Sequence, residues 1–423
     1  MERAVFERDN ILKRIFRDGW EEFKETHPRF EGVDEVVQKM LGCGNSENGY
    51  ASYVCEDCSE KIVIPFSCKS TFCLSCAKSY SLNWVEKVSV MLHPNVKYRH
   101  LILTMPTDLR PVFYNHPQLL NGLMKVAQKT IDEALKESKG FPVKLGSIVV
   151  LQTAGRDASY NPHLHVLITD GGLTDDGNWQ PLGYIDYRLL HTGWQENLLS
   201  MITNSLPNDE KVTRIVARMR RRYPNGFVAH LERSVSSNIN SLTRYLVKYV
   251  VSPPISLSRI VDYNQSRGEV TYWYRSHLDG GKKKKVTISR EQFIGRMVQH
   301  ILPKGFHRIR YYGLQATCVL KKVRQKIKEV LKVAVQLGME LLEQPIANLS
   351  YQEKMKRSYG YDPFTCSHCG GQMYLWQLWV KGHGFIDLLK TSHYNRLRPP
   401  SNPPNESMKG SDQSNQSTQL PLF

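Results

Sequence analysis

The sequence predicts a mixed α/β (α+β) protein, with helices flanking a β-sheet core and a small cysteine-rich module ahead of it. Two observations carry this reading. From Trp84 onward, apolar residues recur with a period of 3.6 in some segments and 2 in others, so helices and strands interleave. Between Cys43 and Cys76, by contrast, Cys, Gly and Ser crowd together and long periodic runs are few, as in a loop-rich module.

The elements follow in order. Ile11, Leu12, Ile15, Phe16, Trp20 and Phe23 trace one face of an N-terminal helix within residues 1–40. A short strand is expected at Arg99–Met105 and a helix at Gln118–Glu137. Leu145–Gln152 reads as a buried strand. Pro162–Thr169 reads as a second, with Asp170-Gly171-Gly172 as the turn that ends it. Tyr187–Ile202 and Asp209–Arg222 look helical, the second densely basic. Ser236–Val251 is an amphipathic helix closed by Pro253-Pro254, which cannot continue it. A hairpin turns at Asp279-Gly280-Gly281. Helices are expected at Glu291–Ile301 and 315–343, and from about Pro399 a Ser/Asn/Pro/Gln-rich tail reads as disordered.

The chain has 423 residues, enough for two or three domains. Hydrophobic residues make up 41% and charged residues 23%, which excludes wholesale disorder. The net charge of +17 is clustered, the footprint of a protein that meets a polyanion, and nucleic acid is the commonest one. The N-terminal MERAVFERDNILKRIFRDGW lacks a signal-peptide core, and no apolar run approaches a membrane span. A cytoplasmic, nucleoid-associated protein is therefore expected. In that setting nine cysteines point to metal binding rather than disulfides.

Cys55-x-x-Cys58 and Cys73-x-x-Cys76, fourteen residues apart, form a zinc pattern. Each pair sets two thiolates on one tight turn, and two turns close a tetrahedral sulfur site of structural type. Cys43 and Cys68 are extra; they either serve a second ion or lie nearby. Cys366-x-x-Cys369 before Gly370-Gly371 looks like half a zinc ribbon, its partners open between His368, His383 and none.

Two further motifs carry chemistry. In Asn161-Pro162-His163-Leu164-His165-Val166-Leu167-Ile168, the strand period sets His163 and His165 on one face and Leu164, Val166 and Ile168 on the other. Two adjacent imidazoles can share a divalent cation. Taken alone, two ordinary histidines on a half-exposed strand are the commoner case. In the helix after Ser241, Tyr245 and Tyr249 stand at i and i+4 on one face, with Arg244 and Lys248 beside them suited to a phosphate backbone. Aromatics at helical spacing usually only pack, but a tyrosine oxygen can also attack phosphorus where a metal polarises the phosphate.

The order of these motifs resembles the HUH two-tyrosine transposases of bacterial rolling-circle insertion sequences, the IS-ninety-one type. IPFSCKSTFCLSCAKSYSLNWVEK looks like the family's zinc segment, LQTAGRDASYNPHLHVLITDGGL its histidine segment and RYLVKYVVSPPISLSRI its tyrosine segment. FIGRMVQHILPKGFHRIRYYGL is similar to its C-terminal part. The resemblance implies an antiparallel-sheet HUH endonuclease core, with the tyrosine helix lying across it. It implies His163 and His165 as ligands of Mg²⁺ or Mn²⁺, Tyr245 and Tyr249 as nucleophiles, and structural Zn²⁺ on the cysteines. A third ligand comes from elsewhere in such proteins, and Gln152 on the neighbouring strand is the candidate. The implied reaction cuts and joins single-stranded DNA through a 5′-phosphotyrosine.

Arg220, Arg221 and Arg222 on one helix and Lys282, Lys283, Lys284 and Lys285 at the hairpin are the candidate DNA-binding cations, with Arg218 and a basic run from Lys321 to Lys328. Tyr272, Trp273 and Tyr274 near the hairpin suit base stacking. The expected organisation is a helix plus zinc module at 1–83, a catalytic domain at 84–260, a basic DNA-binding region with the Cys366/Cys369 knuckle at 261–398 and a tail at 399–423. Competing readings are a rolling-circle replication initiator, or a zinc-finger DNA-binding protein without catalysis.

Overall fold

A computed structural model gives the structure of the chain; it describes residues 3–4, 9–94, 96–140, 143–232, 242, 253–276, 279–335 and 349–388. The chain divides into two compact units, one of Met1–Phe6, Ser46–Phe66 and Asp362–Phe423, the other of Glu7–Asn45 and Ser67–Tyr361. These cut the chain differently from the expected 1–83, 84–260 and 261–398 segments. Strands from residues 49–65 and from 373–387 share one sheet although the sequence sets them far apart.

In the first unit, β1 (Arg3–Ala4), β2 (Gly49–Cys55) and β3 (Lys61–Pro65) are joined by β13 (Met373–Val380) and β14 (Gly384–Asp387) in the order β1-β3-β2-β13-β14. β13 pairs antiparallel with β2, Met373 opposite Cys55. Tyr53 meets the edge of Phe364, and Met373 is fully buried.

The second unit is built on β4 (Tyr98–Leu103), β5 (Lys144–Ala154), β6 (Tyr160–Leu173), β7 (Trp179–Pro181), β8 (Ala229–Leu231) and β12 (Ile309–Gly313). They form one antiparallel sheet in the order β12-β5-β6-β4-β8, with β7 on the end of β6. The antiparallel α+β core expected from sequence is the one present. β6 is central and two-sided. Leu164, Val166 and Ile168 join Leu101, Leu103, Val149 and Leu151 in a core under the helices Leu119–Lys139 and Tyr187–Ser205. The Leu119–Lys139 helix buries Leu120, Leu123, Met124, Ala127, Ile131 and Leu135, the spacing of one helical face, and ends at Gly140 in the left-handed conformation. Leu167 lies on the opposite face, in a second core with Tyr98, Ile148, Val150, Val88, Leu92 and Leu314.

β6 does not stop at the turn expected from Asp170-Gly171-Gly172 but runs on to Leu173. The glycines serve close approach instead. A Cβ on Gly171 (φ 156°) would lie 2.5 Å from the Trp179 indole, and one on Gly172 would lie 2.4 Å from the Lys144 carbonyl oxygen, so β7 and β5 can both pair there.

A smaller sheet of β9 (Ile260–Asn264), β10 (Glu269–Arg275) and β11 (Lys283–Ser289) contains the expected hairpin. It shares a core with the N-terminal helix Ile11–Thr26 through Val270, Tyr272, Phe293, Leu12, Phe16 and Trp20. Asn10 caps that helix by accepting from the Lys13 N–H. The basic helix expected over 315–343 is described at Leu320–Val335. The expected Ser236–Val251 helix lies outside the described residues except at Leu242, which is fully buried in the core that contains Leu167.

Candidate active site and metal centres

The strand period of β6 turns His163 and His165 toward the face opposite its helix-covered side, as expected, with their ring centroids 5.0 Å apart. Antiparallel pairing supplies their neighbours. Gln152 on β5 stands opposite His163, and Ile102 on β4 opposite His165. His100, two residues before Ile102, therefore shares the histidine face, and its ring stacks on that of His165 at 5.1 Å between centroids.

A chain of polar contacts orients these rings. The Glu232 carboxylate lies 3.3 Å from His100 Nδ1, His100 Nε2 lies 2.9 Å from His165 Nδ1, and His165 Nε2 lies 3.1 Å from Gln152 Oε1. His163 Nδ1 lies 2.7 Å from the Asn161 carbonyl oxygen, which accepts its proton. That bond fixes the His163 tautomer with the Nε2 lone pair outward. If Glu232 accepts from His100 Nδ1, His100 accepts in turn from His165 Nδ1, and His165 Nε2 carries its lone pair toward Gln152 Oε1. Two nitrogen lone pairs and an amide oxygen on one face suit a cation.

Burial holds both histidines neutral. It lowers the pKa of His163, helped by the positive charge of Arg110, and takes His165 down to about 2. His100 is lowered by burial, against the pull of Glu232. Neutral imidazole is the form that binds metal. Arg110 keeps a buried Nε with no hydrogen-bond partner among the described residues. Sequence reasoning missed His100, Arg110 and Glu232. His100 and His165 are 65 residues apart, and only strand order brings them together. Among the described residues, the only sets of three or more His, Cys, Asp or Glu ligand atoms close enough to share an ion are made of cysteines. The expected site residues Arg244, Tyr245, Lys248 and Tyr249 lie outside the described residues.

The cysteines are divided differently from expectation. Cys55, Cys58, Cys73 and Cys76 do not form one set. Cys73 and Cys76 gather with Cys43 and Cys68, whereas Cys55 and Cys58 gather with Cys366 and Cys369. The reason is strand pairing: β13 brings the C-terminal knuckle alongside the end of β2. In the first cluster Cys43 and Cys76 sulfurs are 3.5 Å apart, and Cys68 and Cys76 sulfurs 3.7 Å. Contact between their sulfurs pushes Cys43 below and Cys68 above the ordinary thiol range. Phe72, Leu74 and Phe16 pack around this cluster, so it is a closed structural centre. Cys43 and Cys68 are thus full members of it, and the four sulfurs fit Zn²⁺.

The basic candidates are exposed but differ in setting. Arg220 pairs with Glu196 at 3.0 Å, and Arg222 and Arg218 both reach Asp108. Arg221 is also exposed. Such surface pairs are worth at most about 1 kcal/mol, so a phosphate can replace the carboxylate. Lys282, Lys283, Lys284 and Lys285 are all exposed, and Lys283 sits over the Trp273 ring at 4.6 Å. Tyr272 is not available for base stacking. It is buried in the core, and its hydroxyl donates to the Asp157 carbonyl oxygen.

Comparison with known proteins gives these features a context. The family model described as "Putative transposase" matches residues 146–323, which hold most of β5, all of β6 and the tyrosine motif. The model described as "Transposase zinc-binding domain" matches residues 15–105. The chain is 29% identical over 350 residues to the transposase for insertion sequence element IS801 of Pseudomonas savastanoi, covering 80% of this chain and 82% of that one. A Sinorhizobium fredii protein described in the same words as the first model is 23% identical over 376 residues, 85% of this chain and 93% of its own. No solved structure matches. The two family models and the relatives together identify a transposase, an enzyme that acts on DNA. Within that class, the chain belongs to the insertion-sequence transposases of the IS-ninety-one type, which carry the transposase zinc-binding domain. No helix among the described residues is long and apolar enough to cross a membrane.

Proposed function

We propose that this transposase nicks and joins single-stranded DNA at the ends of its element through a 5′-phosphotyrosine, with Tyr245 and Tyr249 as nucleophiles. The observation that carries this reading is the face of β6. His163 and His165 present neutral imidazoles on the side where Leu242, three residues before Tyr245, is buried. Leu242 therefore lies on the histidine side of the sheet.

His163, His165 and the Gln152 amide oxygen are the groups that would hold the Mg²⁺ or Mn²⁺ ion this reading calls for. When bound, such an ion polarises the scissile phosphate. The chain supplies the rest. Asn161 and the Glu232–His100 pair hold the two imidazoles in orientation. Arg110 adds a fixed positive charge beside His163. One tyrosine oxygen bonds to phosphorus and loses its proton to solvent. The bond from phosphorus to the 3′ oxygen breaks, and that oxygen takes up a proton. The second tyrosine serves the second cut, and the free 3′-OH groups attack the phosphotyrosines to rejoin the strands. Arg244, Lys248, Arg220, Arg221, Arg222 and Lys282–Lys285 neutralise the DNA backbone.

The test is incubation of the purified protein with single-stranded element-end DNA and Mg²⁺ or Mn²⁺. A protein–DNA adduct that survives denaturation is expected, and it should vanish in the His163→Ala variant. DNA binding with no adduct under any divalent ion would instead describe a zinc-finger DNA-binding protein. Origin nicking without strand transfer between two element ends would describe a replication initiator.

A further inference from the structure

We propose that the chain holds a second structural zinc ion, on Cys55, Cys58, Cys366 and Cys369, which fastens the Cys366–Cys369 knuckle and β13 to the hairpin β2–β3. This stands apart from the phosphotyrosine reading. The zinc-domain match ends at residue 105, so Cys366 and Cys369 lie outside it.

Three observations support the site. The first is the arrangement of sulfurs. All four lie within 4.8 Å of one another, with Cys55 to Cys369 at 3.5 Å and Cys58 to Cys366 at 3.7 Å. A tetrahedron with zinc–sulfur bonds of about 2.3 Å has edges of about 3.8 Å. A disulfide would need about 2.05 Å.

The second is that the two halves are the same backbone device. Cys55 N–H donates to the Glu60 carbonyl oxygen at 2.9 Å, and Cys366 N–H to that of Gly371 at 2.8 Å. Ser59 N–H donates back to the Cys55 carbonyl oxygen, and Gly370 N–H to that of Cys366, both at 3.0 Å. The residue after each second cysteine takes the left-handed conformation, Ser59 at φ 61° and Gly370 at φ 77°. For Ser59 that conformation carries a steric cost. Each knuckle thus turns both of its cysteines toward one point.

The third is register. β13 lies antiparallel to β2 with Met373 opposite Cys55, which sets the knuckles side by side. The knuckles approach closely at Gly371, where a Cβ would fall 1.9 Å from the Asp57 carboxylate oxygen. Cys58 and Cys366 are 308 residues apart, and the whole of residues 67–361 lies between the two halves in sequence. The ion therefore closes a long loop that the β2–β13 pairing alone would have to hold.

The test is metal content. Freshly purified, reduced full-length protein should contain about two zinc ions per chain, and the Cys366→Ser, Cys369→Ser variant about one. X-ray absorption on the native protein should show an all-sulfur shell, averaging about four sulfurs per zinc. Cadmium substituted into the native protein should give two distinct all-thiolate resonances, a readout that does not depend on the variant's folding. One zinc per chain, one cadmium resonance, or two zinc ions retained by the variant would each overturn the proposal.

Discussion

His165 shows how neighbours would prepare a single ring for the metal-binding role proposed for it. It is 5% exposed, with Nδ1 facing His100 and Nε2 facing the Gln152 amide oxygen. With Glu232 accepting from His100 Nδ1, the pair would set which nitrogen of His165 bears the proton, as supporting hydrogen bonds do for histidines that bind metal. Replacing Glu232 by Gln should weaken Mn²⁺ binding about 10- to 100-fold while leaving the fold intact. Calorimetric titration of the protein with Mn²⁺ checks this, and an unchanged affinity would mean that the pair only fills space. His163 and His165 were legible in the sequence because alternation along one strand is a local signal. Their partners were not. His100 sits in an ordinary-looking strand and Glu232 just past another, and neither has a motif around it. Only the strand order 5-6-4-8 makes them neighbours.

At the scale of elements, the helix Leu119–Lys139 was readable because its buried residues follow one helical period, and β5 and β6 because each carries a short, dense apolar run. Leu123, fully buried between that helix and the sheet, should cost about 2–5 kcal/mol when cut to Ala, measured by denaturant unfolding. A loss below about 1 kcal/mol, within the range of a surface change, would contradict the packing described. The cysteine ribbon was readable only in part. Four C-x-x-C cysteines near the N-terminus look like one site, because spacing does not reveal which strands will pair. Register decides it, and β13 comes from more than 300 residues downstream of β2. The hairpin β10–β11 offers a prediction of a different kind. Trp273 stands opposite Lys285, and Arg275 opposite Lys283, so one face of the ribbon is cationic with an indole on it. Changing Lys282–Lys285 to Ala should weaken single-stranded DNA binding and flatten its salt dependence, by about 0.7 log units per log unit of salt for each phosphate that is no longer neutralised. An unchanged slope, read from binding isotherms at several salt concentrations, would place the DNA elsewhere.

Taken whole, the molecule is strongly basic, at +17, yet several of its histidines are kept neutral inside it. Burial lowers His93 and His300 to about 4, and their rings bond to the Leu314 and Ala158 carbonyl oxygens. Above the ordinary histidine pKa of 6.5, folded and unfolded chains both carry them neutral. As the pH falls below that value, the unfolded chain takes up protons that the folded one refuses. Each of these histidines should then remove about 1.4 kcal/mol of stability per pH unit until about pH 4. Unfolding midpoints should therefore drop between about pH 7 and pH 5, and a flat profile would contradict the burial of these rings. The central claim concerns the two tyrosines and is tested most directly by removing only their hydroxyls. In the Tyr245→Phe, Tyr249→Phe double variant, incubated with single-stranded element-end DNA and Mg²⁺, the account predicts a folded protein that still binds DNA and forms no denaturation-resistant adduct. Each single variant should retain some cleavage but lose transposition, because two cuts need two nucleophiles. An adduct formed by the double variant at the wild-type level would show that the nucleophile is another residue, and would contradict the account.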